Sequence, residues 1–442
     1  MSANAKITLV GGGSYSWGPG VMANILQQPF LAGSTVVLHD LDADALSLVQ
    51  NVVQQYHDLA DVDVTIGATT DRDAALQDAD YVVVTISTGG LEMMRHDLAI
   101  PERYGILQTV GDTVGPGGLL RALRNVPVFL DLAGAMERLC PRAWMLNCSN
   151  PLSVLTRVVN KETTIRALGV CHGVRGVAAQ LARFLGIERD AAAYVNSGID
   201  HCAWFTDFVV DGAPATELLV NMGLDDWLAL PPAQAREDET FGGLFTARCG
   251  LLLGRQLGAL PAIGDRHLVE FMPRFLEGAD AVQRYGLLRT TVDERQARRQ
   301  ASREHLQRVA AGTDKAELPT PSDDVAGWIA ALAGGPVIED NLNSPNVGQI
   351  PQLPDGAVVE TRGVLDASGC RPLVSPLSPA LAATVAPHVW RQELTVEAAL
   401  EGDADKVLAV LATDPLSGPA ESVSTMLDQM LAATRPLLPQ FE

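Results

Sequence analysis

Several things are scarce in this chain. Only six of its 442 residues are cysteine (Cys140, Cys148, Cys171, Cys202, Cys249 and Cys370), and no two show CxxC spacing. That pattern argues against a disulfide scaffold and against a structural zinc site. Most of these thiols are expected to be small buried groups. Long apolar runs are also missing. None approaches the ~18 consecutive apolar residues that a membrane-crossing helix needs, so no span is expected. The apolar stretch Ile7–Val10 is too short for a secretory signal and runs straight into glycines, so the expected location is cytoplasmic. Basic residues are outnumbered: 32 Lys and Arg face 53 Asp and Glu, a net charge of −21. A field of that sign repels phosphate backbones and makes nucleic acid an unexpected partner. It serves solubility first, although a local arginine cluster could still hold a small anion.

What the chain does have is core. Hydrophobic residues make up 47%, as in a folded globular protein, and the length suits two domains. Short β-rich runs alternate with helical stretches through the first half. Lys6–Val10, Thr35–Asp40, Tyr81–Ile86, Trp144–Asn147 and Ile165–Val170 read as buried strands, and residues 43–57 and 121–139 as helices between them. Continuous apolar strands alternating with helices predict a parallel sheet covered on both faces. After about residue 200 the pattern changes. Helical stretches dominate 239–310, including an Arg-rich segment at 289–308. A Pro- and Gly-rich region spans 334–356, a short strand follows at Ala357–Glu360, and the tail from 376 is helical with proline breaks. The expected fold class is α/β: an N-terminal Rossmann-type, doubly wound parallel sheet over 1–195, then a C-terminal α+β substrate and oligomerisation domain over 196–442.

The first strand ends in Gly11-Gly12-Gly13-Ser14-Tyr15-Ser16. Gly11 and Gly13 supply the first two glycines of a dinucleotide fingerprint: one permits the tight turn, the other lets backbone approach a pyrophosphate. Ser16 holds the third glycine position, so the pattern is incomplete. Context strengthens it, because Asp40 closes the second strand where an acidic residue accepts the ribose hydroxyls of NAD. A helix N-terminus after the turn would face the pyrophosphate. Ser87-Thr88-Gly89-Gly90, after the third strand, is small enough to wall an adenine. A nucleotide-free turn of the same shape is the alternative.

Three later segments carry chemistry. Asn150, in Asn147-Cys148-Ser149-Asn150-Pro151, follows a strand and offers an amide to sugar hydroxyls, or simply starts a turn before Pro151. Cys171-His172 follows another strand, and Asp200-His201 lies thirty residues on. A thiolate and an imidazole suit a borderline divalent cation such as Mn²⁺, Fe²⁺, Co²⁺ or Ni²⁺ and leave positions open for substrate; a buried cysteine and a core histidine are the plainer reading. In Pro261–His267, with Glu270 beyond, ionisable residues crowd after a small-residue turn, as in a site loop or at a helix start with Asp265 as its cap.

Taken in order, these segments resemble glycoside hydrolase family 4, the NAD-dependent glycosidases. The resemblance covers nearly the whole chain, from Gly11–Ser14 through Asn150-Pro151, Cys171-His172 and Gly198–His201 to Gly264–Phe271, Asn346–Ile350, Leu353-Pro354 and Val359-Glu360. It implies that Gly11, Gly13, Ser14 and Asp40 hold NAD, that Cys171 and His201 bind Mn²⁺ or another divalent metal, and that Asn150 binds substrate. It implies Asp265 as the base. Members acting on 6-phospho-sugars carry Asp after the metal-binding cysteine, where this chain has His172. They also place a phosphate-binding Arg at the position of Met94, with Arg95 one residue off. Both departures point away from a phosphorylated sugar. Val110–Gly118 and Gly264–His267 look most like the α-galacturonidase members. Where members usually carry Asn, this chain has Asp200, which changes the local charge.

The resemblance implies hydrolysis through transient oxidation. NAD⁺ takes hydride from C3 of the sugar, and the C2 proton, acidified by the new ketone and the metal, passes to Asp265. The C1 group then departs, water adds and the hydride returns. His172, or else Asp112, is the expected acid at the leaving group, and Arg266 and Arg121 are the expected partners of a uronate carboxylate. Glucuronide, α-galactoside and α-glucoside substrates stay open beside α-galacturonide, and homodimers or homotetramers are expected. Two rivals are a plain NAD-dependent 2-hydroxy-acid dehydrogenase, which would accumulate NADH, and a non-enzymatic binding protein that keeps NAD as a structural ligand.

Overall fold

In a computed structural model, residues 3–188, 192–319 and 325–441 are described. Six strands, β1 (Lys6–Val10), β2 (Thr35–His39), β3 (Thr65–Thr69), β4 (Tyr81–Val84), β5 (Trp144–Asn147) and β6 (Arg166–Gly169), pair in parallel in the order β3-β2-β1-β4-β5-β6. This is the strand order of a Rossmann sheet, whose reversal between β1 and β4 opens a crevice at the strands' carboxyl ends. Successive side chains serve opposite faces. Ile7, Leu9 and Val83 pack with the helices Trp17–Leu26, Ala43–His57 and Val325–Leu332, whereas Val82 and Val84 pack with Gly115–Leu139 and Leu152–Glu162. Burial on both sides explains why these strands read as continuous apolar runs.

The sheet does not stop at β6. Beyond it run β7 (Ala193–Ile199), β8 (Cys202–Val210), β9 (Ala213–Pro214), β10 (Leu260–Pro261), β11 (Ile338–Pro345), β12 (Val358–Asp366) and β13 (Gly369–Pro372). Along the main path the order continues β6-β11-β12-β7-β8-β10, every added pairing being antiparallel. The C-terminal half is therefore a mixed α+β layer grown onto the edge of the parallel sheet, joined through Asn343 opposite Gly169.

Strands β1 and β5 and the helix Ala43–His57 fall where the pattern predicts them. Others do not. The edge strand β3, Thr-Ile-Gly-Ala-Thr, is too polar and exposed to show an apolar run. Strand β11 lies inside the stretch read as Pro- and Gly-rich connection. The helix expected from residue 121 begins at Gly115, because Pro116 sits in its first turn, where a missing N–H costs nothing. Among the described residues no helix is long and apolar enough to cross a membrane, and the six cysteines are unbridged.

Candidate active site

The chain leaves β1 through Gly11–Gly13 and enters the helix Trp17–Leu26. Gly11 has φ +93°, and a Cβ there would sit 2.6 Å from the Thr85 carbonyl oxygen, so only glycine fits. The Gly13 N–H donates to Oδ2 of Asp40 at 2.9 Å, which ties the carboxylate at the end of β2 to the turn. A Cβ on Gly13 would come within 2.8 Å of that same oxygen. Ser14 serves the helix start, its Oγ accepting the Trp17 N–H at 3.3 Å. The close helix-to-turn approach that a third fingerprint glycine provides falls to Gly18, whose Cβ would lie 2.6 Å from the Gly12 carbonyl oxygen. Ser16 therefore does not break the motif; the third glycine stands two residues further on. Small residues, free backbone approach and an acidic end to β2 are what a dinucleotide needs.

Across the same edge, Cys171 follows β6, and Asp200-His201 forms the two-residue connection between β7 and β8. The ligand atoms of Cys171, Asp200 and His201 all lie within 4.8 Å of one another. His201 adopts φ +65°, a left-handed conformation that costs a non-glycine residue about 1–3 kcal/mol and tends to persist at functional sites. His172 caps the helix Gly173–Phe184, its ring centroid 6.4 Å from that of Trp17 at the head of the glycine-turn helix. Burial, with Asp200 beside it, pushes the Cys171 thiol well above its ordinary value. A thiol, an imidazole and a buried carboxylate suit a borderline divalent cation, whose binding would turn the thiol into the thiolate.

A second cluster shares His201. Ligand atoms of Asp112, His201 and His267 also lie within 4.8 Å of one another. The His267 ring stacks on that of His201 at 3.8 Å, and its Nδ1 lies 4.0 Å from Oδ1 of Asp112. Burial pushes both imidazoles down to about 4, so both are neutral at pH 7. Burial works against the Asp112 charge, but the facing rings of His267 and His201, the Arg121 guanidinium and the Thr113 hydroxyl together favour it, and that carboxyl is held below the usual range. The Thr113 hydroxyl donates to Asp112 Oδ1 at 2.7 Å and stands 2.8 Å from Nδ1 of His201. Since its one proton goes to the carboxylate, its oxygen accepts from Nδ1–H, and the lone pair of His201 is on Nε2, available to a cation.

Glu270 holds the loop that carries Asp112. Its Oε1 accepts the N–H groups of Val110 at 2.6 Å and Gly111 at 2.9 Å. Thr109 is fixed on both sides, its hydroxyl donating to the Arg266 carbonyl and its own carbonyl accepting from Thr290 N–H. Burial pushes Glu270 up to about 7.

The remaining expected residues divide. Asn150 precedes Pro151 through a cis peptide bond, and its carbonyl accepts from Nε of Arg121 at 2.8 Å, so these two form one unit beside Asp112. Arg266 donates to Thr290 Oγ1 at 3.2 Å. Asp265 is otherwise engaged: its oxygens accept the N–H groups of Cys249 and Gly250 at 2.7 and 2.8 Å, satisfying the start of the helix Arg248–Leu257. Burial pushes it up to about 7. The side chain of that segment that reaches His201 is His267, two positions on; its histidine stood in the motif, but nothing in the spacing told which residue faces inward. Arg295 was hidden in the Arg-rich segment. Its Nε and Nη2 are buried without a partner, and its charge acts on Asp112 and His267. Met94 is buried, and Arg95 pairs with Asp293 at 2.8 Å on the surface.

Residues 6–187 match the family model described as family 4 glycosyl hydrolase, and residues 196–417 match that of its C-terminal domain. An alpha-galacturonidase of Lachnoclostridium phytofermentans is 31% identical, over 99% of this chain and 97% of its own length. A solved Bacillus subtilis protein superposes with a TM-score of 0.86 at 29% identity, covering 97% of this chain and all of that one. A 6-phospho-alpha-glucosidase from gut microorganisms, solved in complex with NAD and Mn²⁺, superposes with a TM-score of 0.83 over 99% of this chain and all of its own; at 21% identity that likeness speaks to fold alone.

Proposed function

Because this chain belongs to family 4 of the glycosyl hydrolases, we propose that it cleaves an α-glycoside, an α-galacturonide before other sugars, with NAD and a divalent cation such as Mn²⁺ as its working groups. The observation that carries this reading is the convergence of Cys171, His201, Asp112 and His267, with His172 next to Cys171 lying 6.4 Å from Trp17 at the head of the helix that follows the glycine turn. When bound, the two groups supply reversible hydride removal at C3 and Lewis-acid polarisation of the neighbouring oxygens. The chain's own residues do the rest. Gly11, Gly13 and Asp40 orient the dinucleotide, with Ser14 organising the helix start behind it. Cys171 and His201 hold the cation.

The proton at C2 needs a base within reach of the sugar. His267, with Asp112 4.0 Å from its Nδ1, fits that need. Asp265, expected in this role from the family pattern, faces the start of the helix Arg248–Leu257, each of its oxygens accepting a backbone N–H there. His172, at the mouth of the site, is our choice for the acid at the leaving group. Asn150 and Arg121 bind the sugar from below, and a uronate carboxylate would be met by Arg266 and Arg295, cations in a chain that is otherwise strongly acidic. We further read the division near residue 195 as separating the nucleotide half from the substrate half. Recognition of the galacturonide follows the name of a relative that matches along 99% of this chain.

A nitrophenyl glycoside panel, run with NAD⁺, Mn²⁺ and reductant, tests the reading. Release from the α-galacturonide that needs both additions supports it. Steady NADH accumulation on 2-hydroxy acids without glycoside cleavage would overturn it in favour of a dehydrogenase.

A further inference from the structure

We propose that Asp200 is a third protein ligand of the divalent cation, completing a thiolate–carboxylate–imidazole set with Cys171 and His201. The inference rests on the proposed metal-dependent reading and extends it.

Asp200 is fully buried, and neither of its carboxylate oxygens has a hydrogen-bond partner. A carboxylate in that condition is costly, because the attraction it lost in water has not been replaced. Its surroundings make matters worse. Glu360, on β12, is also fully buried with both oxygens unpartnered; it stands opposite Gly198, two residues before Asp200, and each of the two carboxyls pushes up on its surroundings. Cys171 adds a third group that becomes anionic on binding metal. Nδ1 of the His201 imidazole lies 3.6 Å from Asp200 Oδ2. Two carboxyls and a thiol around one buried spot either hold their protons or are met by a cation, and the ligand atoms of Cys171 and Asp200 stand close enough for one cation to meet them.

The donor geometry agrees. Two metal–ligand bonds of roughly 2 Å each keep donors of one cation within about 4 Å of one another, and the ligand atoms of Cys171, Asp200 and His201 already lie within 4.8 Å. The backbone enforces it. Asp200 and His201 are the two linking residues of the β7–β8 hairpin, and the left-handed φ of +65° at His201 turns consecutive side chains toward one side. An asparagine here would supply one neutral oxygen; aspartate brings a second negative charge, so that thiolate and carboxylate together balance a divalent ion. Glu360 can then stay protonated behind the site.

The test is Mn²⁺ binding to the full-length chain, followed by calorimetry and by the EPR signal of free Mn²⁺, with Asp200→Asn, Cys171→Ser and Glu360→Gln alongside wild type. Wild type is expected to bind one Mn²⁺. Asp200→Asn, which keeps the side chain's shape, is expected to weaken binding about 100-fold, the upper end of what loss of a supporting group costs a metal site, while Glu360→Gln changes it by less than about 3-fold. The melting temperature of Asp200→Asn should gain less from added Mn²⁺ than that of wild type. The absorption bands of the Co²⁺-loaded protein should differ between the two, as they would on losing a ligand. Equal Mn²⁺ affinity and unchanged Co²⁺ bands in Asp200→Asn overturn the proposal and leave the Cys171–His201 reading standing. A wild-type chain that binds no more Mn²⁺ than Cys171→Ser overturns both.

Discussion

Glu270 couples the stability of the protein to the loop that presents Asp112, and Glu270→Gln separates its two roles. Burial pushes its carboxyl from an ordinary 4.5 up to about 7. In the folded state it therefore keeps its proton where the unfolded chain has lost it. Its folded pKa is raised, so stability is highest below about pH 4.5 and is lost as pH rises toward 7, at about 1.4 kcal/mol for each pH unit in that window. The full effect at pH 8 is about 3 kcal/mol. Glutamine retains an oxygen for the N–H groups of Val110 and Gly111 but cannot ionise. Urea unfolding at pH 4.5 should show Glu270→Gln within about 1 kcal/mol of wild type, and at pH 8 more stable by about 3 kcal/mol. Glu270→Ala should behave otherwise at both pH values: two buried N–H groups lose their acceptor, at about 1–3 kcal/mol each, and turnover falls with the freed loop. If Glu270→Gln were less stable than wild type by the same amount at pH 4.5 and pH 8, the carboxylate would be ionised throughout and this reasoning would fail.

Other outcomes follow from the same geometry. Gly13→Ala forces a Cβ to 2.8 Å from the Asp40 carboxylate and should weaken NAD⁺ binding at least about 10-fold, a loss of ~1.4 kcal/mol read by fluorescence titration, while Mn²⁺ affinity is unchanged. Cys171→Ser should lose Mn²⁺ affinity by about 100-fold or more in equilibrium dialysis. Arg295→Gln should lower kcat/KM for an α-galacturonide about 10- to 100-fold, the worth of one hydrogen bond to a charged group, and leave any rate on the neutral α-galactoside much less affected; an equal loss on both would deny it a role in reading the carboxylate. His267→Asn should cut turnover far more than Asp265→Asn, whose main effect should appear as a lower melting temperature from the weakened start of the helix Arg248–Leu257.

The nucleotide half was legible because its strands are buried on both faces, which writes continuous apolar runs into the sequence, as at Lys6–Val10 and Trp144–Asn147. Strand β3 left no such trace, since Thr65, Gly67 and Thr69 interrupt any apolar run and only Ile66 and Ala68 lean on the core. Strand β11 was concealed for another reason: it is buried on both faces, yet of its buried residues only Leu342 is apolar, the others being Asp340, Asn341, Asn343 and Ser344. At the site itself, residue type and order pointed to Cys171, His201 and Asn150, but side-chain direction could not be read. The resemblance gave the base role to Asp265, whose carboxylate turns to a helix start, and gave none to His267 two residues later. Nor could it show that Asp200 is buried without partners, which only the three-dimensional surroundings reveal.

The most direct test of oxidation-assisted cleavage is the deuterium kinetic isotope effect on α-galacturonide hydrolysis, with label at C2 and separately at C3, in protein supplied with NAD⁺ and Mn²⁺. Primary effects at one or both carbons, together with no turnover after both additions are removed, are the predicted result. Unlabelled and labelled substrates cleaved at equal rates, by protein stripped of both nucleotide and metal, would contradict it.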